Sequence, residues 1–211
     1  MSTTTDVKHP LFARFYIWMS RGRDPEAEHR QALLAGVKGR VIEVGAGNGL
    51  NFPHYPATVS QVVAVEPEPT LRQAARDAAS QAPVAIEVVD GAASRLPSEE
   101  AEFDVGIASL VLCSVPDQAE ALVELRRVIR PGGELRFYEH VVSHDRRRAW
   151  LMQLADATFW PRIGGGCHMS RDTQPAITAA GFEIEAVERF AFSPGPPVPA
   201  LPHIRGIARR P

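Results

Sequence analysis

Five short apolar runs, at residues 40–44, 61–66, 84–89, 103–109 and 134–140, are separated by helix-sized segments such as 70–81 and 117–129. Alternating strands and helices leave few folds open. Parallel strands need long crossovers, and the crossover helices cover both faces of the sheet. Arg130-Pro131-Gly132-Gly133 fits this pattern as the stop of one helix and the start of the next strand. At 211 residues, 45% of them hydrophobic, the chain is long enough to bury such a core, and one domain is expected.

The flanking segments add helices and two more strands. Residues 1–9 read as a frayed tail, 11–19 as an aromatic-rich helix with Phe12, Phe15, Tyr16 and Trp18, and 25–34 as a second helix. Beyond 140 the pattern predicts a helix from Arg146 to about Trp160, a turn at Gly164-Gly165-Gly166 and a helix from Asp172 to Ala180 stopped by Gly181. Residues 182–192 alternate apolar and polar, as a strand with one covered face does. A stiff, proline-rich exposed loop (193–202) then leads to a last strand at about 203–208. The formal charge of −2 argues against a nucleic-acid partner. Cys113 and Cys167 form neither a disulfide framework nor a zinc spacing, so no metal is expected and the pair fits a reducing cytoplasm. The polar first ten residues do not resemble a signal peptide, and no apolar run approaches the roughly 18 residues of a membrane span.

The chemistry concentrates where the first run meets Gly45-Ala46-Gly47-Asn48-Gly49. Three glycines at alternate positions let a ligand lie against backbone, and their spacing differs from the Gly-x-Gly-x-x-Gly of a pyrophosphate site. Glu43, inside the strand, requires a polar or cationic partner. Glu66 closes the second run, 21 positions after Gly45, where a carboxylate can hold a ribose diol. An acid beside a tight glycine turn suits a ligand with an amine and a sugar, which points to S-adenosyl-L-methionine. Two further elements follow in order: Phe103-Asp104-Val105 running into Leu110-Val111-Leu112-Cys113-Ser114-Val115, and Leu125 to Leu135.

With these four elements the chain resembles the class I S-adenosylmethionine-dependent methyltransferases, most strongly over residues 38–142. The resemblance implies an α/β, Rossmann-like, seven-stranded and mostly parallel sheet with helices on both faces. Its last strand would be antiparallel and inserted beside the sixth. It divides the chain into an N-terminal helical cap (1–36), a cofactor-binding core (38–142) and acceptor-side helices with the final two strands (143–211). It places Glu43, Gly45, Gly47 and Gly49 at the methionine end of the cofactor, Glu66 on the ribose and Pro67 beside adenine. Where many relatives carry an acid after the third strand, this chain has Ala92, so backbone at Ala92 and Ala93 is expected to meet adenine, with Asp90 as a substitute acid.

A closer resemblance, to the methyltransferase-like thiol S-methyltransferases, rests on further motifs. They are Asn51-Phe52 with Tyr55-Pro56, Leu110 to Val115, Glu139-His140-Val141, Gly166 to Arg171 and Pro202 to Gly206. The apolar anchor of animal members of that group has no counterpart in Met1–Pro10, so stable membrane insertion is not expected. The site expected from this adds Asn51 and Leu110 around the cofactor and Tyr16 as a lid. His140 is the candidate general base, with Glu139 to orient it, because substrates meet parallel sheets at the carboxyl ends of the strands. Cys113 reads as a packing residue, Cys167-His168 as part of a loop over the site, and His203 as a residue facing the same pocket. Trp150, Leu151, Leu154, Phe159 and Trp160 read as one wall of an apolar acceptor pocket. The partner implied is a small, fairly apolar methyl acceptor, a thiol first. O- or C-methylation of a quinone or polyketide-like metabolite, a nicotinamide-dependent oxidoreductase and a non-catalytic cofactor-binding partner remain open. The oligomeric state is not set by the sequence.

Overall fold

Acidic side chains start the helices that follow the strands. Glu68 accepts the Leu71 N–H at 2.7 Å, Asp117 accepts those of Ala119 and Glu120 at 2.8 and 3.1 Å, and Asp145 accepts that of Arg148 at 2.8 Å. Each satisfies donors that the first helical turn leaves without an intrahelical partner. The computed structural model describes residues 10–22, 24–195 and 199–211, so the expected tail at 1–9 lies outside the described residues. In chain order the elements are α1 (Pro10–Ser20), α2 (Ala27–Leu34), β1 (Gly39–Val44), β2 (Val59–Val65), α3 (Pro69–Ala79), β3 (Ile86–Val89), β4 (Phe103–Ser109) and α4 (Gln118–Val128). They continue with β5 (Ile129–His140), α5 (Arg146–Thr158), α6 (Trp160–Ile163), α7 (Thr173–Ala179), β6 (Glu183–Phe192) and β7 (Leu201–Arg209).

The seven strands form one sheet in the order β3-β2-β1-β4-β5-β7-β6. β1 to β5 are mutually parallel, and β7 lies between β5 and β6, antiparallel to both. Successive residues of β1 serve opposite faces: Ile42 and Val44 pack with Phe103, Leu125 and Phe137, while Val41 packs with Leu33, Val62 and Ile107. Burial on both faces explains why the central strands read as continuous apolar runs.

Two boundaries and one covered face depart from the sequence reading. β5 begins at Ile129, not 134, because Ile129 pairs with Phe103 and pairing resumes at Glu134–Val105, leaving Pro131 and Gly132 in a bulge. β6 is an edge strand on which only Ile184, Phe190 and Phe192 are partly covered, so the expected covered face is thin. α5 stops at Thr158, and Trp160–Ile163 forms a separate short helix.

The expected apolar wall on α5 is not formed. Asp156 accepts the backbone N–H groups of Met169 and Ser170 at 3.0 and 2.8 Å, and Met152 is the α5 residue buried inward, against Cys113, Cys167 and Met169. Trp150, Leu151, Leu154 and Phe159 are exposed, and only Trp160 is packed inward. On α1, Phe12 and Tyr16 stack at 5.8 Å over the sheet edge while Phe15 and Trp18 face outward. No helix among the described residues is long and apolar enough to cross a membrane.

Candidate active site

The carboxyl ends of β1, β2, β4 and β5 open into a cleft of about 740 Å³, within the usual range for small-molecule sites. The glycine turn forms its floor. Gly45 and Ala46 donate their N–H groups to the Val65 carbonyl at 2.8 and 3.1 Å, which ties the turn to the end of β2. Gly47 has φ +59°, and a Cβ there would meet nothing nearer than the Tyr16 ring at 4.0 Å, so a side chain would stand in the cleft itself. Gly49 was expected beside the ligand but does not line the cleft. A Cβ there would lie 2.7 Å from the Phe52 ring and 2.9 Å from Ala78, so this glycine serves packing.

Glu66, just beyond β2, is aimed into the cleft. Its two oxygens accept the N–H groups of Gly47 at 2.8 Å and Glu68 at 2.9 Å. Burial raises its carboxyl pKa to about 7, and those two N–H groups offset only part of that cost. Pro67, Ala92 and Ala93 line the same end. Asp90 does not: it is about half exposed and pairs with Arg72 at 3.0 Å, on a guanidinium that also donates to the Glu66 and Pro67 carbonyls. A shift of two residues along extended chain moves an acid out of the cleft.

Glu43 meets the partners that its position in a strand requires. Asn51 donates to one oxygen at 2.8 Å and the Tyr55 hydroxyl to the other at 2.7 Å. Burial lifts its pKa to about 6, which these bonds and Arg30 restrain. Arg30, on α2, is 4% exposed, donates to Asn51 and Ser109 at 3.2 Å and pairs with Asp24 and Glu26. Arg30 was not singled out in the sequence. Its only signal is a glutamate four positions earlier, which is commonplace on a helix. Asn48 donates to Ser20 at 2.8 Å, tying α1 to the turn, so that Tyr16 hangs over Gly47 as a cover.

The opposite end of the cleft is built on the loop after β4. Leu110 has φ +56°, rare for a branched side chain, and its N–H donates to the Tyr138 carbonyl at 2.6 Å. Glu139 does not orient His140. Its carboxylate points to the other face of β5 and accepts the N–H groups of Val111, Leu112 and Cys113 at 3.1, 2.9 and 3.1 Å. Burial raises it to about 7 against the pull of those donors. His140 faces the cleft with both cysteines, its Nδ1 3.8 Å from Cys113 Sγ and 3.7 Å from Cys167 Sγ.

Cys167 is pulled down to about 5, first by the Cys113 thiol and then by His140, with burial opposing. Cys113 is pushed up by Cys167 and by burial. Burial works against an imidazolium at His140, yet the Cys167 sulfur together with Glu26 and Glu139 outweighs it and holds the ring above its usual range. Cys113 is therefore part of a polar trio and not simply packing. The His203 ring lies 4.4 Å from that of His140, tilted by 47°, but does not line the cleft, and burial followed by His140 keeps it neutral, at about 3. Pro194 and Gly195 bring the proline-rich loop to the cleft mouth, while residues 196–198 lie outside the described residues.

Comparison with known proteins bears on this arrangement. A methyltransferase domain family model matches residues 42–137. The chain is 35% identical to thiol S-methyltransferase TMT1B of Mus musculus, covering 83% of this chain and 73% of that one. It is 34% identical to the Homo sapiens protein of the same name, over the same shares. Among solved structures, a SAM-dependent methyltransferase from Thermotoga maritima superposes with TM-score 0.68 at 21% identity, covering 95% of this chain and 99% of that one.

Proposed function

The chain belongs to the S-adenosylmethionine-dependent methyltransferase family, and from that premise we propose that it methylates the sulfur of a small, fairly apolar thiol. The observation that carries this reading is the sulfur-lined pole of the cleft, where His140 stands between Cys113 and Cys167. The similarity to thiol S-methyltransferases supports it.

S-adenosylmethionine supplies, when bound, a methyl group on a sulfonium that departs as a neutral thioether. The residues at the other pole fit it. A buried carboxylate aimed into the cleft suits a ribose diol, and the open face of Gly47 lets a ligand touch backbone. In our assignment Glu66 accepts the ribose hydroxyls, Pro67, Ala92 and Ala93 flank adenine, and Tyr16 covers the donor. Glu43, held by Asn51 and Tyr55 and with burial raising its pKa only to about 6, is assigned a charge role: ionised at neutral pH, it favours the cationic methionine end. Gly45, Asn51 and Leu110 shape the space between the poles.

His140 is assigned the acceptor's proton, which it takes as the neutral ring; Cys167, Glu26 and Glu139 favour the imidazolium, so the neutral form is the scarcer one at low pH and the stronger base once formed. A free thiol titrates near roughly 8.5, so only a modest push is needed at neutral pH. His140→Ala should therefore lower kcat with a thiol by about tenfold while changing S-adenosylhomocysteine affinity by less than about twofold. Equal losses in both would place His140 in the donor site instead.

Glu66 gives the assignment a pH signature. Its folded pKa of about 7 means that the free protein at pH 6 holds mostly the acid, whereas the ribose contacts require the carboxylate. Binding then releases a proton, and affinity rises with pH up to about 7 and levels above it. Glu68 and Arg72, the charged neighbours, reinforce and oppose this shift respectively. Calorimetry with S-adenosylhomocysteine should show about tenfold weaker binding at pH 6 than at pH 8. A flat profile would remove Glu66 from the ribose.

The acceptor class is tested by offering the enzyme S-adenosylmethionine with matched alkyl thiols, phenols and quinones. Thioether should form in step with S-adenosylhomocysteine. Methyl ethers or C-methylated products without thioether would contradict the reading.

A further inference from the structure

Cys113, His140 and Cys167 come from three separate places: the loop after β4, the end of β5 and the loop after α6. In sequence they have no metal-binding spacing. In space the two Sγ atoms and His140 Nδ1 all lie within 4.8 Å of one another. The two nitrogen–sulfur separations are 3.8 and 3.7 Å. A tetrahedral zinc centre with ordinary Zn–S and Zn–N bonds sets its sulfur and nitrogen ligands about 3.6 Å apart.

The backbone around these donors is fixed. The Cys113 N–H is held by Glu139, the Cys113 carbonyl accepts the His168 N–H at 2.7 Å, and Arg171 donates to the Leu112 carbonyl at 2.7 Å. Met152 and Met169 pack beside the two sulfurs, and all three ligand residues line the cleft. Two soft sulfurs with one imidazole suit zinc over magnesium or calcium, which prefer oxygen. Three ligands leave a fourth position, as at catalytic zinc sites, where closed structural sites use four.

We propose that Cys113, His140 and Cys167 bind one zinc-type divalent ion whose fourth position opens onto the cleft and takes the acceptor's sulfur. The identity of that fourth ligand rests on the thiol reading above. In the step this implies, the thiol binds through sulfur and gives its proton to water. The thiolate then forms the new carbon–sulfur bond as the donor's sulfonium–methyl bond breaks, with both electrons of that bond staying on the donor sulfur. The thioether product, neutral and a weaker ligand, leaves. When the ion is bound, His140 is a ligand, and the acidifying task passes from imidazole to metal.

The test uses the full chain, reduced and stripped with a chelator, then titrated with Co²⁺ as the spectroscopic probe. One equivalent should bind, with sulfur-to-cobalt charge-transfer absorption in the near ultraviolet and the visible bands of tetrahedral cobalt. Cys167→Ser and Cys113→Ser should each weaken uptake about tenfold or more and diminish the charge-transfer band, with S-adenosylhomocysteine binding retained. Should Cys113→Ser lose that binding through misfolding, the Cys167→Ser titration decides alone. Absence of the charge-transfer band, or an unchanged band in Cys167→Ser, overturns the site. Metal uptake by a protein that methylates no thiol supports the site and overturns the thiol reading. Full-rate thioether formation by stripped protein overturns the metal's part in the reaction and leaves the thiol reading intact.

Discussion

Glu139→Ala is expected to destabilise the protein by about 3 kcal/mol or more, because it strips the acceptor from three backbone donors at once. Val111, Leu112 and Cys113 all give their N–H groups to this carboxylate, which is fully buried. Each orphaned donor costs about 1–3 kcal/mol, and water entering the hole offsets part of the sum. Thermal unfolding should move down by roughly 6–12 °C for a chain of this size. Glu139→Gln retains the oxygen serving two of the three donors and should lose about half as much. An alanine variant within about 1 kcal/mol of the parent would mean that the loop after β4 is held by something else.

The second large effect lies at the other pole. Glu66→Ala should weaken S-adenosylhomocysteine by about a hundredfold, since two hydrogen bonds to a charged group contribute about 3 kcal/mol together. The carboxylate also holds Gly47 and Glu68, so thermal unfolding of the free variant has to be measured beside the binding isotherm. A Tm within a few degrees of the parent with affinity lost assigns the effect to the ligand. Unchanged affinity would take Glu66 out of the site.

The two residues differ in how visible they are in the sequence. Glu66 closes an apolar run at a fixed interval from a glycine turn, both of them local signals. Glu139 sits in an equally apolar strand, but its partners are 26 to 28 positions away, and only the neighbouring of β4 and β5 makes it a cap. The parallel core was legible in the strand-helix alternation, whereas the antiparallel last strand beside the sixth was implied only by the family resemblance. Which side of an element faces inward was less legible. On α5 the residue that packs inward is Met152, while the larger Trp150 and Leu151 point out, a choice made by how Asp156 ties the helix to the segment around Ser170.

Gly49 and Asp90 fail for a related reason. A motif gives spacing along the chain but not which member of a turn faces a ligand, and in both cases a tertiary neighbour, Phe52 or Arg72, occupies the residue. The Cys113–His140–Cys167 trio carried no local signal, because its members meet only after three loops converge. Arg30 and its ties to Asn51 and Ser109 are likewise a product of packing α2 against the sheet.

The central claim is a donor held at Glu66 and Gly47 that presents its reactive sulfur to the pole formed by Cys113, His140 and Cys167. A crystal structure with S-adenosylhomocysteine and an unreactive thiol analogue measures this directly. The account predicts both ribose hydroxyls on the Glu66 carboxylate and the donor sulfur turned toward His140, with the analogue's sulfur between them at near-attack spacing once the missing methyl group is allowed for. A donor whose ribose lies away from Glu66, or whose sulfur faces away from that trio, would contradict it.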